Sequence, residues 1–218
     1  MEINLKENIR GLKNIVVKNL RWIFMLIFAI MFITILDNVM NQEIYKFDVT
    51  GYELVTMRMT DSITWIAKII TKMASPVVLI LIAYTLYSAL KNKKIKYSIV
   101  TNLVVATLLN FTIKNIIQRP RPVGHRLIDE SGYSFPSGHS MVSMAFYGYL
   151  IFIINSNVKS KSVRIISTIV LGALIILIGL SRIYLGVHYA SDVFGGFCIA
   201  LSYLMLYTGV VKKMLNEK

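Results

Sequence analysis

The segment SRIYLGVHYASD, from Ser181 to Asp192, is a polar interruption between two long apolar stretches. Long apolar stretches joined by a short polar turn are typical of neighbouring membrane helices. The turn places His188 four residues before Asp192, so a helix that begins near His188 would carry both side chains on one face. Arg182 adds a planar guanidinium group of the kind that binds phosphate with two hydrogen bonds.

These residue types point to one kind of chemistry. An aspartate that accepts a hydrogen bond from one imidazole nitrogen fixes the tautomer and leaves the other nitrogen free to attack. A histidine nucleophile, an orienting carboxylate and a phosphate clamp together indicate phosphoryl transfer through a phosphohistidine. The alternative is a loop histidine near a membrane surface, followed by an aspartate that caps a helix.

The composition indicates a polytopic membrane protein. Of its 218 residues 56% are hydrophobic, and the mean hydropathy is +0.62, which is too apolar for an ordinary soluble domain. The net charge of +13 would suit a nucleic-acid partner, but basic cytoplasmic loops explain it more simply, so no nucleic acid is predicted. The single cysteine, Cys198, excludes an internal disulfide and a cysteine metal site.

The apolar segments predict an all-α fold with six transmembrane helices, at 22–40, 62–90, 97–117, 137–154, 165–180 and 190–211. Residues 1–21 predict an amphipathic helix on the inner membrane surface or, alternatively, a solvated basic tail. Residues 22–218 then form one transmembrane domain. The region 41–61 is predicted to be an external loop with a short helix, and Pro76 to kink the second span.

The charge distribution predicts that both termini are cytoplasmic. Fifteen of the 24 Lys and Arg residues fall in the four segments that this topology places inside. The other nine lie in outer loops or outer helix ends, where basic residues imply an anionic ligand. Five of these are Lys114, Arg119, Arg121, Arg126 and Arg182. Lys68 and Lys72 share one helix face, where they either extend to the outer interface or contact a lipid headgroup.

The segment PSGHS predicts a phosphate cradle at the start of the fourth span. Ser137 is a good N-cap, and the free N–H groups of Gly138, His139 and Ser140 would point out of the helix start toward an anion. Gly138 allows the backbone to approach closely. His139 would stand beside the bound phosphate as a general acid. The alternative is a capped helix with an interfacial histidine.

A third polar stretch, KNIIQRPRP, runs from Lys114 to Pro122. Lys114 and Arg121 both reach inward if the helix ends between them. The alternative is that Lys114 extends to the membrane surface and that the RPRP segment is a solvated loop. Parity of the six spans places this stretch, PSGHS and the Arg182–Asp192 turn at the outer ends of their helices. Three separated polar clusters are therefore predicted to meet at one membrane face.

The three stretches carry a resemblance to a known family. The type 2 phosphatidic acid phosphatase (PAP2) superfamily has the motifs K-x6-R-P, P-S-G-H and S-R-x5-H-x3-D, and every defining position matches here. The resemblance implies that His188 attacks phosphorus, that Asp192 orients it, and that His139 protonates the leaving group and then activates water. It also implies a set of groups that bind the phosphoryl oxygens: Lys114, Arg121, Arg182, Ser137 and the Gly138 N–H.

By resemblance, the substrate is a lipid phosphate or diphosphate in a bacterial cell membrane. Undecaprenyl diphosphate is favoured because an outward-facing site suits it; phosphatidylglycerol phosphate, phosphatidic acid and sphingoid phosphates are the alternatives. No metal or other cofactor is predicted. Two other classes fit the sequence less well: a vanadate-dependent haloperoxidase, which six spans disfavour, and an inactive binding or transport protein, which the intact motif residues disfavour. Several loop residues are assigned no role beyond tuning substrate choice: Arg119, His125, Arg126, Asp129 and Glu130.

Overall fold

The computed structural model describes the backbone of residues 2–216 and the side chains of residues 19–215. Within that range every regular element is a helix, so the predicted all-α class is confirmed. In chain order the helices are α1 (Glu2–Met40), α2 (Tyr45–Thr56), α3 (Asp61–Lys72), α4 (Pro76–Ala89), α5 (Lys93–Ile117), α6 (Gly138–Asn157), α7 (Lys161–Tyr184) and α8 (Ala190–Asn216).

Four segments are long and apolar enough to cross a membrane by themselves: Asn19–Met40 of α1, and α5, α7 and most of α8. The pair α3 and α4 satisfies the same requirement together, as one bent span. The described part of the chain is therefore a multi-pass membrane protein with four or five candidate spans. The count of six in the sequence-based prediction depends on α6.

Helix α6 lies at the centre of the bundle, against α5, α7 and α8. Its buried side chains include Phe146, Tyr147 and Tyr149, and Tyr149 donates to or accepts from Ser98 of α5 at 2.6 Å. A helix that other helices surround can carry polar groups, because these groups find partners inside the protein. Helix α6 carries such polar groups, and its length and hydropathy do not place it among the candidate spans.

The second predicted span is broken and not merely kinked. Helix α3 ends at Lys72, α4 begins at Pro76, and the two axes differ by 49°. Ser75 is the N-cap of α4, and its hydroxyl accepts a hydrogen bond from the Val78 N–H at 3.4 Å. Proline at the first helical position lacks an N–H that would be unsatisfied there anyway, so this sequence starts a new helix.

Helix α2 confirms the short helix expected in the 41–61 region. It packs on α7 and α8, and its one fully buried side chain is Asp48. Helix α1 packs along α8, where the Ser202 hydroxyl donates to the Met25 carbonyl at 3.1 Å. The predicted amphipathic character of residues 1–21 falls almost wholly on side chains outside the described range.

Candidate active site

Four helix ends meet at one end of the bundle and bring the three polar stretches together. Lys114 lies in the last turn of α5 and Arg182 in the last turn of α7. Asp192 lies in the first turn of α8. The N-cap of α6, Ser137, donates its backbone N–H to the Asp192 carbonyl at 2.9 Å. Residues far apart in the chain thus form one compact polar cluster.

His188 is held between a carboxylate and a guanidinium group. Its Nδ1 atom is 3.3 Å from Asp192 Oδ2, and its Nε2 atom is 3.0 Å from Arg121 Nη1. Because Arg121 can only donate, Nε2 accepts and the proton of the neutral ring lies on Nδ1. Helix α8 begins at Ala190, so His188 lies in the preceding turn and does not share a helix face with Asp192.

The surroundings keep the His188 ring neutral. Only 3% of the residue is exposed, and burial lowers the pKa of His188 to about 4, although the hydrogen bond and the charge of Asp192 oppose this change. Desolvation disfavours the imidazolium form because a charge in a dry site loses its hydration. At neutral pH the Nε2 lone pair is therefore present.

Three backbone carbonyls fix the Arg121 side chain. Nε donates to Gly132 O, Nη1 to Val187 O and Nη2 to Ser131 O, each at 2.9 Å. The guanidinium plane is thereby oriented before any ligand arrives. Arg121 therefore stands beside the Nε2 atom of His188 in a fixed position.

Lys114 is held in the same way. Its Nζ atom donates to Tyr133 O at 2.6 Å and to Ser134 O at 3.2 Å. A Cβ atom on Gly138 would lie 3.7 Å from Lys114 Cε and 3.0 Å from Asn110 Oδ1. The glycine of PSGH thus allows the start of α6 to lie directly against α5 and the lysine.

Arg182 is almost fully buried and is paired with two side chains that the sequence patterns did not single out. Nη1 donates to Thr71 Oγ1 at 2.8 Å, and Nη2 donates to Glu130 Oε2. Glu130 Oε1 also lies 3.9 Å from Arg121 Nη2. Burial would raise the pKa of Glu130, but Arg182 outweighs it and lowers the pKa. A carboxylate therefore occupies part of the predicted phosphate clamp, and Glu130 is not a simple loop residue.

The start of α6 has the predicted cap. Ser137 Oγ accepts hydrogen bonds from Ser140 N at 3.4 Å and from Ser140 Oγ at 2.9 Å. The cap uses the Ser140 N–H, which leaves the Gly138 and His139 N–H groups as the first-turn donors for an anion. His139 and Gly138 also line a mainly apolar cavity of about 240 Å³ between α4, α5 and α6, whose wall includes Leu79.

Arg119 departs most from its sequence-based assignment. The sequence predicts a loop residue here, yet its Nη1 donates to Asp192 Oδ1 at 2.6 Å and its Nη2 to Asp48 Oδ2 at 2.7 Å. Ser134, which no motif includes, donates its hydroxyl to Asp192 Oδ2. Arg119 belongs to the RPRP segment but falls outside the K-x6-R-P spacing, so the motif does not indicate its contact with Asp192.

The other loop residues lie away from this cluster. The His125 ring stacks on Tyr52 with centroids 5.5 Å apart, and Arg126 Nε donates to Pro122 O at 2.7 Å. Lys68 and Lys72 are exposed on α3, as the snorkelling interpretation requires. Among side chains 19–215, no group of three or more His, Cys, Asp or Glu residues lies close enough to hold a metal ion.

The fold and the site define a multi-pass membrane protein with a buried histidine, carboxylate and guanidinium cluster at one end of its bundle. Comparison with known families then gives the membership: the PAP2 superfamily model matches residues 95–215, and the chain belongs to that superfamily.

The proteins that resemble the chain include two relatives and a solved structure. Phosphatidylglycerophosphatase B of Bacillus subtilis (strain 168) is 38% identical over 109 residues, which cover 49% of this chain and 53%, about half, of that relative. Undecaprenyl-diphosphatase of Sulfolobus acidocaldarius is 24% identical over 204 residues, covering 88% of this chain and 94% of the relative. The crystal structure of a transmembrane PAP2 type phosphatidylglycerolphosphate phosphatase from Bacillus subtilis has a TM-score of 0.79 at 23% identity, over 89% of this chain and 98% of that one, which shows a common fold.

Proposed function

We propose that this protein is an integral membrane lipid phosphatase that hydrolyses a lipid phosphate or diphosphate through a phosphohistidine. The observation that carries the proposal is the arrangement around His188. The ring is neutral, its Nδ1 atom faces the Asp192 carboxylate, and its Nε2 atom faces Arg121 in a cluster of fixed cations. This is the arrangement that an activated histidine nucleophile needs.

In the first step the phosphoryl group binds between Arg121, Arg182 and Lys114, with the Gly138 N–H and the Ser137 cap at its edge. In the free protein Arg121 Nη1 donates to His188 Nε2. When substrate binds, a phosphoryl oxygen accepts this hydrogen bond instead. His188 Nε2 then forms a bond to phosphorus as the bond from phosphorus to the leaving oxygen breaks. The negative charge of the bound phosphate favours the imidazolium form of His139, which takes a proton from solvent as the substrate binds. His139 gives this proton to the leaving oxygen, and the preorganised donors stabilise the charge on the equatorial oxygens.

In the second step a water molecule attacks the phosphorus of the phosphohistidine. His139, now neutral, takes a proton from this water as the N–P bond breaks, and inorganic phosphate leaves. Asp192 stabilises the positive charge that the imidazole carries while phosphorus is bound. Four or five preorganised donors suffice for the charge, so the proposed reaction is independent of metal ions.

We propose undecaprenyl diphosphate as the substrate and phosphatidylglycerol phosphate as the alternative. The alignment with the undecaprenyl-diphosphatase extends over 88% of this chain, which supports the first. The higher identity to the phosphatidylglycerophosphatase supports the second, but over 49% of the chain. The apolar cavity of about 240 Å³ beside His139 suits the beginning of either lipid chain.

The proposed topology has six spans, with α6 as the fourth and the α3–α4 pair as the second. Residues 22–218 form one domain, and residues 1–21 lie on the inner surface. Both termini are cytoplasmic, and the cluster around His188 opens on the outer side of a bacterial cell membrane. The excess of basic residues in the inner segments supports this orientation.

The test is phosphate release by the purified, detergent-solubilised protein in excess EDTA. Undecaprenyl diphosphate, phosphatidylglycerol phosphate and phosphatidic acid are compared, and the relative kcat/KM values rank them. We expect release to survive EDTA and to disappear in His188→Ala. Rapid quenching should trap an acid-labile phosphate on the wild-type protein at the peptide that contains His188.

His125→Ala is the matched control, because it removes a histidine of the same face that contacts Tyr52 and not the cluster. It should keep the wild-type rate. No release from any of the three lipids, or equal release by His188→Ala, would show that the proposed function is wrong. Release that EDTA abolishes would refute metal independence alone.

A further inference from the structure

Asp192 is a fully buried carboxylate, and its Oδ2 atom faces a neutral histidine. Its Oδ2 atom accepts the Ser134 hydroxyl and the Tyr189 N–H, and it lies 3.3 Å from His188 Nδ1. These three donors carry no formal charge. A buried carboxylate is stable as an anion only with a compensating cation or with several hydrogen bonds. Asp192 therefore needs a positive charge close to its carboxylate.

Arg119 supplies it. Its Nη1 atom donates to Asp192 Oδ1 at 2.6 Å, and its guanidinium group stacks on the Tyr189 ring at 4.1 Å. The other cations of the cluster have different partners. Lys114 faces a backbone carbonyl, Arg121 faces the Nε2 atom of His188, and Arg182 faces Glu130. In the described structure Arg119 is the one cation that hydrogen-bonds directly to Asp192.

Asp48 of α2 holds Arg119 in place from the other side. Asp48 Oδ2 accepts from Arg119 Nη2 at 2.7 Å, and its Oδ1 atom accepts the Ser191 N–H at 2.8 Å. Asp48 thereby ties a short helix outside the predicted spans to the first turn of α8. This contact explains why Asp48 is buried although α2 is otherwise amphipathic or exposed.

We propose that Arg119 is a positioning residue for the nucleophile: it keeps the Asp192 carboxylate charged and aligned on His188 Nδ1, and Asp48 holds Arg119 in that position. The proposal rests on the proposed phosphatase function, in which His188 must present Nε2 to phosphorus. Without Arg119, Asp192 loses its counter-ion, takes up a proton more readily and no longer favours the Nδ1–H tautomer. The nucleophilic nitrogen is then protonated in part of the molecules.

The test uses the full chain in detergent with four variants. Arg119→Gln removes the counter-ion, and Arg119→Lys keeps the charge without the two-sided fork. Asp48→Asn keeps an acceptor for the Ser191 N–H but removes the carboxylate partner of Arg119. Arg126→Gln is the matched control, because it removes an exposed arginine of the same loop. Two measurements are made: kcat and KM on the preferred lipid, and the His188 tautomer from ¹⁵N spectra of histidine-labelled protein.

We expect Arg119→Gln to lower kcat by about 10- to 100-fold, the loss seen when a metal-binding histidine loses its outer hydrogen-bond partner, with KM nearly unchanged. Its ¹⁵N spectrum should show His188 moving from the Nδ1–H form to a mixture. Arg119→Lys should recover part of the rate, Asp48→Asn should lose several-fold, and Arg126→Gln should behave as the wild type.

A merely structural role would lower the amount of folded protein and leave the tautomer of the folded fraction unchanged. A folded Arg119→Gln with the wild-type tautomer therefore overturns the proposal, whatever its rate. If Arg119→Gln does not fold, Asp48→Asn decides, and a wild-type kcat and tautomer in that variant overturn it. If the wild type releases no phosphate, the phosphatase function fails separately, and the tautomer shift still decides the role of Arg119.

Discussion

His188 has a local environment that makes its protonation state unusual. An exposed histidine has a pKa of about 6.5, whereas burial lowers the pKa of His188 to about 4. The charged ring is the form that burial disfavours, so acid opposes the native arrangement. Lowering the pH through the folded-state pKa should therefore protonate His188 and disrupt the site, and the site should be intact at pH 5 and above.

This pH dependence can be measured on the protein without substrate. Histidine-labelled protein is titrated by ¹⁵N NMR, and His188 is assigned with a His188→Asn variant. We expect the His188 signals to remain those of a neutral Nδ1–H ring from pH 8 to pH 5. A short unstructured peptide that contains one histidine should titrate near pH 6.5 in the same buffer and serves as the control. A His188 midpoint at or above pH 6.5 would contradict the prediction.

Glu130 presents a carboxylate to the guanidinium groups that are proposed to bind phosphate. It pairs with Arg182 and lies 3.9 Å from Arg121, so an incoming phosphate meets a negative charge already in place. Glu130→Gln should therefore tighten the binding of inorganic phosphate by about tenfold, which corresponds to about 1.4 kcal/mol. The measurement is the inhibition constant of phosphate or vanadate in the phosphate-release assay.

The neighbouring Asp129→Asn is the matched control, because it removes the same charge from the adjacent position. It should leave the inhibition constant nearly unchanged. If both variants tighten inhibition equally, the effect comes from the general field and not from the Glu130 contact. Weaker inhibition in Glu130→Gln would mean that Glu130 holds Arg182 in its phosphate-binding position, contrary to the prediction.

At the scale of the elements, α7 and α8 lie close together near the turn that connects them. Gly179 of α7 makes this approach possible: a Cβ atom there would lie 2.5 Å from Phe197 Cζ and 2.9 Å from Val193 Cγ1. Both neighbours belong to α8. A side chain at this position would have to push the two helices apart or displace the Phe197 ring.

Gly179→Ala should therefore destabilise the protein by about 1–3 kcal/mol, the usual cost of overpacking. Gly172→Ala is the matched control on the same helix, since a Cβ atom there has no neighbour within 4 Å. It should be neutral or stabilising by about 0.5–1 kcal/mol, because alanine favours the helix over glycine. Both effects are measured as melting temperatures in detergent. Equal melting temperatures for the two variants would contradict this packing.

Helix α2 contributes to the site in a way that the sequence does not indicate. Its apolar and charged residues read as an external loop with a helix, and the structure agrees on the helix. The buried Asp48, however, connects it through Arg119 to the carboxylate of the site. An element outside the predicted spans therefore helps to hold Asp192.

At the scale of the whole molecule, the proposed topology makes a labelling prediction. Cys198 is buried, so the wild-type protein should react little with a membrane-impermeant maleimide. Met57→Cys, at an exposed position between α2 and α3, should be labelled in intact cells. Lys159→Cys, exposed between α6 and α7, should be labelled only after the membrane is opened. Labelling of both positions from outside would refute the proposed orientation.

The sequence by itself determined the all-α membrane class, most helix segments, the Ser137 cap and the short helix in the 41–61 region. These features depend on neighbouring residues: apolar periodicity, proline and serine at helix starts, and charge between apolar runs. The same kind of signal, a serine followed by a proline, is present at Pro76. The apolar sequence on both sides nevertheless suggested a single kinked helix. The three motifs also predicted which residues lie together at one end of the bundle.

Only the tertiary structure decided which partners those residues have. Arg119 and Asp48 are 71 positions apart, and Arg182 and Glu130 are 52 apart. In the sequence Asp48, Arg119 and Glu130 read as ordinary charges in loops. Arg182 is predicted there to bind phosphate, but nothing in the sequence pairs it with Glu130. A charged side chain becomes part of a site when folding removes its hydration shell and brings a partner within hydrogen-bond distance. That partner is chosen by the packing of α2, α5, α7 and α8, which no local pattern records.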